Sequence, residues 1–159
     1  MKTLRDIGEN GLLRGILPLL PQRPDVVVGP GDDCAVVRVS GSSDDWLFTT
    51  DPVIERRHFL PETPARLVGR KAIARAVSDV AAMGGTPLWI LVDLVAPAAT
   101  PVARIRGLYA GMIAAAKKWN LAILGGDTAE GDVLELHVTG VGRIPRGGAV
   151  LRSGARAGD

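Results

Sequence analysis

Short β-branched runs and two long helical stretches alternate along this chain, and their order leaves few folds open. Runs at Asp25–Val28, Cys34–Val39 and Trp46–Thr50 come first, followed by a helical stretch that ends near Met83. Leu88–Val95 is a further strand-like run, a second helical stretch follows, and Leu121–Leu124 and Val133–Val141 close the series. Thr63-Pro64 and Thr100-Pro101 open the two helices, and each pair predicts a capping hydroxyl ahead of a proline at the first helical position. Gly84-Gly85 stops the first helix. The second carries Val102, Ile105, Tyr109, Met112, Ile113, Ala116 and Trp119, a stripe predicted to face the core or another subunit. Ser40-Gly41-Ser42-Ser43-Asp44-Asp45 is turn chemistry, which predicts a hairpin between the second and third strands. Upstream, Leu4, Ile7, Leu12, Leu13, Ile16, Leu17 and Leu20 fall at roughly helical spacing, ended by Pro21. Gly8, Gly11 and Gly15 weaken that segment and predict two short helices. The whole pattern predicts an α+β fold, a mixed β-sheet with helices packed on one face.

The chain has 159 residues, 47% of them hydrophobic, with a mean hydropathy of +0.20. That suffices for one buried core and excludes a disordered chain. Apolar runs such as Leu88–Val92 stop far short of the roughly 20 residues that a membrane span needs. The first residues lack the apolar stretch of a signal peptide. The single cysteine, Cys34, predicts a reducing, cytoplasmic setting. Nineteen Lys and Arg against seventeen Asp and Glu leave a net charge of +2, with the cations spread from Arg5 to Arg156. That distribution, with only six aromatic side chains (three Trp, two Phe, one Tyr), argues against nucleic acid and for an ordinary solvated surface. Residues 151–159 read as a linker leading away from a domain at 1–150.

The acids are more informative, with twelve Asp against five Glu. Four Asp-bearing turns stand out: Gly31-Asp32-Asp33, Thr49-Thr50-Asp51, Ser78-Asp79 and Gly125-Gly126-Asp127-Thr128. Each has a local alternative. Asp32 and Asp33 suit an Asx-turn, Asp51 before Pro52 suits the end of a strand, and Asp127 suits a turn cap. Asp79 lies among apolar and small neighbours, where an i, i+4 pair with Arg75 is the structural alternative. Two carboxylates about 4 Å apart repel by about 4 kcal/mol at an effective dielectric near 20, so convergence of these turns would require bound cations. Asp carboxylates and Thr hydroxyls are all-oxygen donors that select hard ions, and Mg²⁺ commonly completes its shell with phosphate oxygens. The predicted chemistry is magnesium-nucleotide phosphoryl transfer, without a P-loop or a Gly-x-Gly-x-x-Gly fingerprint. His58 and His137 have no zinc-like partners. Cys34 follows two acids, a poor setting for a thiolate, and reads as a small buried residue. His137 reads as a structural strand residue.

Five ordered segments carry a resemblance: Gly31-Asp32-Asp33-Cys34-Ala35-Val36; Thr49-Thr50-Asp51 with His58-Phe59; Lys71-Ala72-Ile73-Ala74 leading to Ser78-Asp79-Val80-Ala81-Ala82-Met83-Gly84; Gly125-Gly126-Asp127-Thr128; and Arg152-Ser153-Gly154-Ala155. In this order they resemble the thiamine-monophosphate kinases of the aminoimidazole-ribonucleotide-synthetase-like superfamily, from about Gly8 to the end. The resemblance implies ATP-dependent phosphorylation of thiamine monophosphate to thiamine diphosphate. It also implies an N-terminal domain whose sheets join across a homodimer, with ATP and several Mg²⁺ ions near that interface. By position it implies Asp32, Thr49, Thr50, Asp51, Asp79 and Asp127 as metal ligands, with Asp51, Asp79 and Asp127 as the catalytic residues. Tyr109, Gly126, Asp127 and Arg152 are implied as nucleotide contacts and His58 as a substrate contact. Family members run to about twice this length, so a further C-terminal domain is implied. The chain departs from the family pattern at Pro52, at Arg56, where glycine is usual, and at Ala76, where asparagine is usual. Two alternatives stay open: another ATP-dependent enzyme of the superfamily, such as a cyclase or hydrogenase-maturation relative, and a non-catalytic nucleotide-binding dimerisation module. The lack of a glycine-rich N-terminal segment with a reactive cysteine argues against selenophosphate synthesis.

Overall fold

The computed structural model describes residues 1–158, so the last residue of the expected linker lies outside the described residues. The elements are α1 (Leu4–Ile16), β1 (Val26–Val28), β2 (Ala35–Arg38), β3 (Asp44–Ile54), α2 (Ala65–Ala82), β4 (Thr86–Ala96), α3 (Val102–Lys118), β5 (Ala122–Glu130) and β6 (Glu135–Pro145). Short 3₁₀ turns follow α1 at Leu17–Leu19 and close the chain at Arg152–Gly154. One six-stranded sheet runs in the order β1-β2-β3-β6-β4-β5. All pairs are antiparallel except β4 with β5, which α3 joins as a crossover. The sheet is therefore mixed, and α2 and α3 pack together on one face of it, as the element order predicts.

β3, β4, β5 and β6 are longer than their apolar runs, while β1 and β2 are slightly shorter. β3 begins at Asp44 rather than Trp46, because Asp45 points inward and is neutralised there. Arg38 donates to its two carboxylate oxygens at 2.9 and 2.8 Å, and the Gly147 N–H adds a third bond at 2.9 Å. β3 also runs through Asp51 and Pro52 to Ile54, so Asp51 does not end a strand. Neither threonine caps its helix: α2 and α3 start directly after Pro64 and Pro101 with no side-chain cap bond. The Thr63 hydroxyl instead accepts the Leu60 N–H at 3.2 Å.

The buried face of α3 is also rotated from the expected stripe. Val102 and Ile113 are exposed, while Leu108, Gly111, Met112, Ala115 and Ala116 are buried. The reason is a backbone-to-backbone crossing of the two helices. A Cβ on Gly111 would lie 2.0 Å from the Arg66 carbonyl oxygen, and one on Gly69 would lie 2.0 Å from that of Leu108. Small residues must therefore occupy the contact, and the larger apolar ones turn to its flanks.

The core divides into two clusters. Val53, Phe59, Val68, Ile73, Ile90, Val92, Leu108, Met112 and Leu136 belong to the larger one. Cys34, Val36, Leu47, Val80, Met83 and Ile144 form the smaller. α1 belongs to neither. It is kinked at Gly8, as the glycines lead one to expect, none of its residues is buried, and it packs on no element beyond the turn that follows it.

Candidate active site

The two clusters meet at a polar seam on β3. Alternate residues of a strand face opposite sides, and the inward set here is Leu47, Thr49, Asp51 and Val53. The outer pair is fully buried and apolar, and the middle pair is polar. α2 lies over this seam with Ala76 fully buried, close enough that a Cβ on Gly140, the β6 partner of Thr49, would meet Ala76 at 3.1 Å. Asp79, one turn further along α2, accepts a hydrogen bond from Thr49 Oγ1 at 2.6 Å. Burial, with the nearby charges of Asp51 and Asp33, raises the Asp79 carboxyl above its usual range despite the Thr49 bond and the charge of Arg75.

Arg75 does not pair with Asp79. Its Nη2 donates to Asp51 Oδ1 at 2.6 Å, and its buried Nε–H has no acceptor among the described residues. At the mouth of the seam stands the Asp32-Asp33 turn. Asp32 accepts the N–H of Asp33 at 3.0 Å and that of Arg152 at 3.1 Å, and the Arg152 guanidinium pairs with Asp33. Neither acid makes the expected Asx-turn: Asp32 bonds the N–H of the next residue, the Cys34 N–H goes to the Met83 sulfur at 3.0 Å, and Asp33 turns to Arg152. Burial, reinforced by Asp79, Asp33 and Asp32, pushes the Cys34 thiol up to about 12, in keeping with an unreactive core residue.

The four turns do not all converge. Asp33, Thr49, Asp51, Asp79, Arg75 and Arg152 gather around the seam. Thr50 points to the opposite sheet face, where it accepts from Thr139 Oγ1 at 3.4 Å. Asp127 sits on edge strand β5, three strand spacings from β3, roughly 14 Å away. It lies in register with Asp93, whose Oδ1 accepts the Asp127 N–H at 3.1 Å. Gly126 meets Val92: a Cβ there would strike the Val92 carbonyl oxygen at 1.8 Å, a structural reason for glycine. Tyr109 packs half-buried against the larger cluster rather than at the seam. His58 closes the turn after β3; its Nδ1 accepts the Ile54 N–H at 3.0 Å and its carbonyl accepts from Lys71. His137 is held by Glu135 at 2.8 Å, a structural pair.

The residue types at the seam fit a hard cation, since every donor is an oxygen and the carboxylates outweigh their partners. Yet among the described residues no three carboxylate, imidazole or thiol groups stand in one metal-ligand set. Asp33 and Asp51 are each held by an arginine. Sequence spacing points Arg75 to Asp79 alone, and no motif in the sequence singles out Asp93. The available signal for Arg75 is a cation one turn from Asp79, on a helix whose residues Ala72, Ala76 and Val80 are buried.

The opposite sheet face is open. Phe48, Trp89 and Leu91 are each about two-fifths exposed (40%, 38% and 41%), and Trp46 stacks on Trp89 at 5.4 Å. The outer helical layer is strongly basic. α2 and α3 carry Arg66, Arg70, Lys71, Arg75, Arg104, Arg106, Lys117 and Lys118 against the single acid Asp79. Cations spread along the sequence are thus concentrated in space. The cavity of about 290 Å³ between these helices, lined by Arg66, Arg70 and Lys118, is separate from the acidic seam.

A mixed sheet backed by two helices, with an oxygen-lined seam between them, defines the class, and residues 31–144 match the family model for the AIR synthase related protein, N-terminal domain. The chain belongs to that family. Within it, the chain is 36% identical over 157 residues to the thiamine-monophosphate kinase of Mycobacterium tuberculosis (strain ATCC 25618 / H37Rv), covering 98% of this chain and 46% of that one. It is 36% identical over 153 residues to the corresponding kinase of Bacillus subtilis (strain 168), covering 95% of this chain and 47% of that one. Among solved structures it matches AaThiL complexed with AMPPCP and TMP with a TM-score of 0.88 and 35% identity, over 98% of this chain and 48% of that chain. The hydrogenase maturation protein HypE in complex with ATP shares the fold, at a TM-score of 0.62 and 23% identity, over 85% of this chain and 39% of that chain. The chain spans about half the length of the curated relatives it matches.

Proposed function

We propose that this chain forms the ATP- and magnesium-binding half of a thiamine-monophosphate kinase, with residues 1–150 as the domain and the segment from 151 as its exit. The observation that carries the reading is the likeness to thiamine-monophosphate kinases along nearly the whole chain, with the acidic seam lying inside the matched region. In the reaction a phosphate oxygen of thiamine monophosphate attacks the γ-phosphorus of ATP, the bond to the β-phosphate oxygen breaks, and ADP leaves. Such transfer depends on alignment and charge neutralisation more than on a covalent nucleophile. Magnesium, when bound, neutralises and aligns the phosphate oxygens.

Asp79, Thr49 and the Asp32-Asp33 turn would offer oxygens to the ion. Arg152 would turn its planar fork from Asp33 to a phosphate. His58, fixed by Ile54 and Lys71, would present its free ring nitrogen to the substrate. Thr50, Asp127 and the neighbouring Asp93 face the open side of the sheet, so they would serve a site completed by a second protomer. The exposed Trp89, Phe48 and Leu91 make that face suited to homodimerisation. Tyr109 and Gly126 are the further nucleotide contacts of this reading. A reducing, cytoplasmic setting fits the buried, unpaired Cys34.

The test is incubation of the whole protein with Mg-ATP and thiamine monophosphate, with chromatography for thiamine diphosphate. Formation of thiamine diphosphate is the expected result. Its absence, with another acceptor phosphorylated, rejects this reading in favour of another superfamily activity.

A further inference from the structure

Asp51 sits on the core face of β3, between a buried Thr49 and a fully buried Val53. A carboxylate in such a place needs a cation. Here the cation is part of the chain: Arg75 reaches from α2 and donates to Asp51 Oδ1 at 2.6 Å. It does so although Asp79 is one turn away on its own helix, and although its buried Nε–H is left without an acceptor among the described residues. Asp79 is engaged by Thr49 instead. A guanidinium is charged at every accessible pH, so this cation is always present.

We propose that Arg75 is a built-in counter-cation that takes the place of one divalent ion at Asp51. Metal then binds on the Asp79, Thr49 and Asp32-Asp33 side alone. Asp51 acts as a positioning residue, fixing Arg75 over the seam. The inference rests on the reading of the seam as a metal-nucleotide site, and it departs from the ligand set the family resemblance implies, in which Asp51 holds metal.

The experiment counts metal ions rather than turnover. Mn²⁺ is the probe, with bound ions per chain measured by calorimetry and by electron paramagnetic resonance, in the presence of a non-hydrolysable ATP analogue. Arg75→Met should bind one Mn²⁺ more than the wild type. Arg75→Lys, which keeps a cation, should hold the wild-type count. Arg143→Ala, which removes an exposed cation paired with Asp44 at 3.3 Å, should leave count and affinity unchanged and so excludes a general charge effect. An Arg75→Met protein with the wild-type count and an affinity within twofold of it overturns the proposal. If Arg75→Met does not fold, Asp51→Asn asks the same question from the other side. An unchanged count supports the arginine, and the loss of one ion places metal on Asp51 and overturns the proposal. Absence of Mn²⁺ binding in every form rejects the metal-site reading and the proposal with it, whereas binding that ignores Arg75 rejects the proposal alone.

Discussion

Asparagine in place of Asp79 should stabilise the metal-free fold and at the same time abolish its response to magnesium. Ionised Asp79 is disfavoured by burial first and then by Asp51 and Asp33, and only partly relieved by Thr49 and Arg75. Asparagine has the same shape, and its amide oxygen still accepts the Thr49 hydroxyl, so the substitution removes the charge and keeps the bond. Relief of strain at functional sites commonly yields about 0.5–2 kcal/mol. In a domain of this size each kcal/mol moves Tm by about 2–4 °C, so a rise of a few degrees in chelator is expected at neutral pH. The sign of the pH dependence follows from the raised carboxyl. The unfolded chain loses this proton near the ordinary value of about 3.9, while the folded chain holds it to higher pH. Wild-type stability therefore falls as pH rises from there through the folded value. The advantage of the variant should be full at pH 7 and absent near pH 3. Saturating magnesium should reverse the order, since an ion at about 100 times its Kd adds about 2.7 kcal/mol to the wild type alone. Thermal unfolding by circular dichroism, with chelator and with magnesium, reads all of these. A variant less stable than the wild type in chelator at pH 7, or with an advantage that persists near pH 3, refutes the reasoning.

Gly111→Ala should cost about 3 kcal/mol in urea unfolding, because its Cβ would lie 2.0 Å from the Arg66 carbonyl oxygen and force the helices apart. Gly15→Ala, whose Cβ meets nothing within 4 Å, serves as the control. Arg56 has a φ of 62° in the turn after β3, where the family resemblance implies glycine. Arg56→Gly should stabilise by about 1 kcal/mol, seen as a higher urea midpoint. Asp45→Ala should cost about 2–4 kcal/mol by breaking the buried pair with Arg38. The Arg38 bond holds the Asp45 carboxyl below its usual range, so this contribution is present above the ordinary carboxyl value and should vanish from urea curves as pH falls through the folded one. Leu91→Glu, on the open sheet face, should turn the proposed homodimer into a folded monomer by analytical ultracentrifugation.

The local features were legible because they are written in short-range periodicity. Element order and type, the hairpin and the weak spot at Gly8 depend on neighbours within a few residues. So does the burial of Cys34, where alternation and small size agree. What the sequence hides is what depends on register. Asp45 reads as turn chemistry among serines and acids, and only pairing with Arg38 across the hairpin turns it into a buried strand residue. The α3 stripe holds at Ile105, Tyr109, Met112, Ala116 and Trp119 but misses at Val102 and Ile113 for a related reason. Apolar spacing predicts which side is apolar, but the approach of α2 at Gly69 and Gly111 decides which residues lie at the contact.

The seam combines both limits. Thr49, Thr50 and Asp51 are consecutive, and a motif reading makes all three metal ligands of one site. A strand alternates its faces, so Thr50 belongs with Asp127 and Asp93 on the side where a partner sheet would lie. Thr49 and Asp51 belong with α2. Arg75 and Asp79 are spaced as a helical ion pair, but with the cation N-terminal, the less favourable order, worth a few tenths of a kcal/mol at best. A carboxylate on the core face of the sheet competes for the same guanidinium with far more to gain from it, because little water remains there to share its charge. The stronger partner is distant in sequence, at Asp51, and it frees Asp79 for Thr49. Local spacing therefore names the charged groups of this site, while burial decides which of them meet.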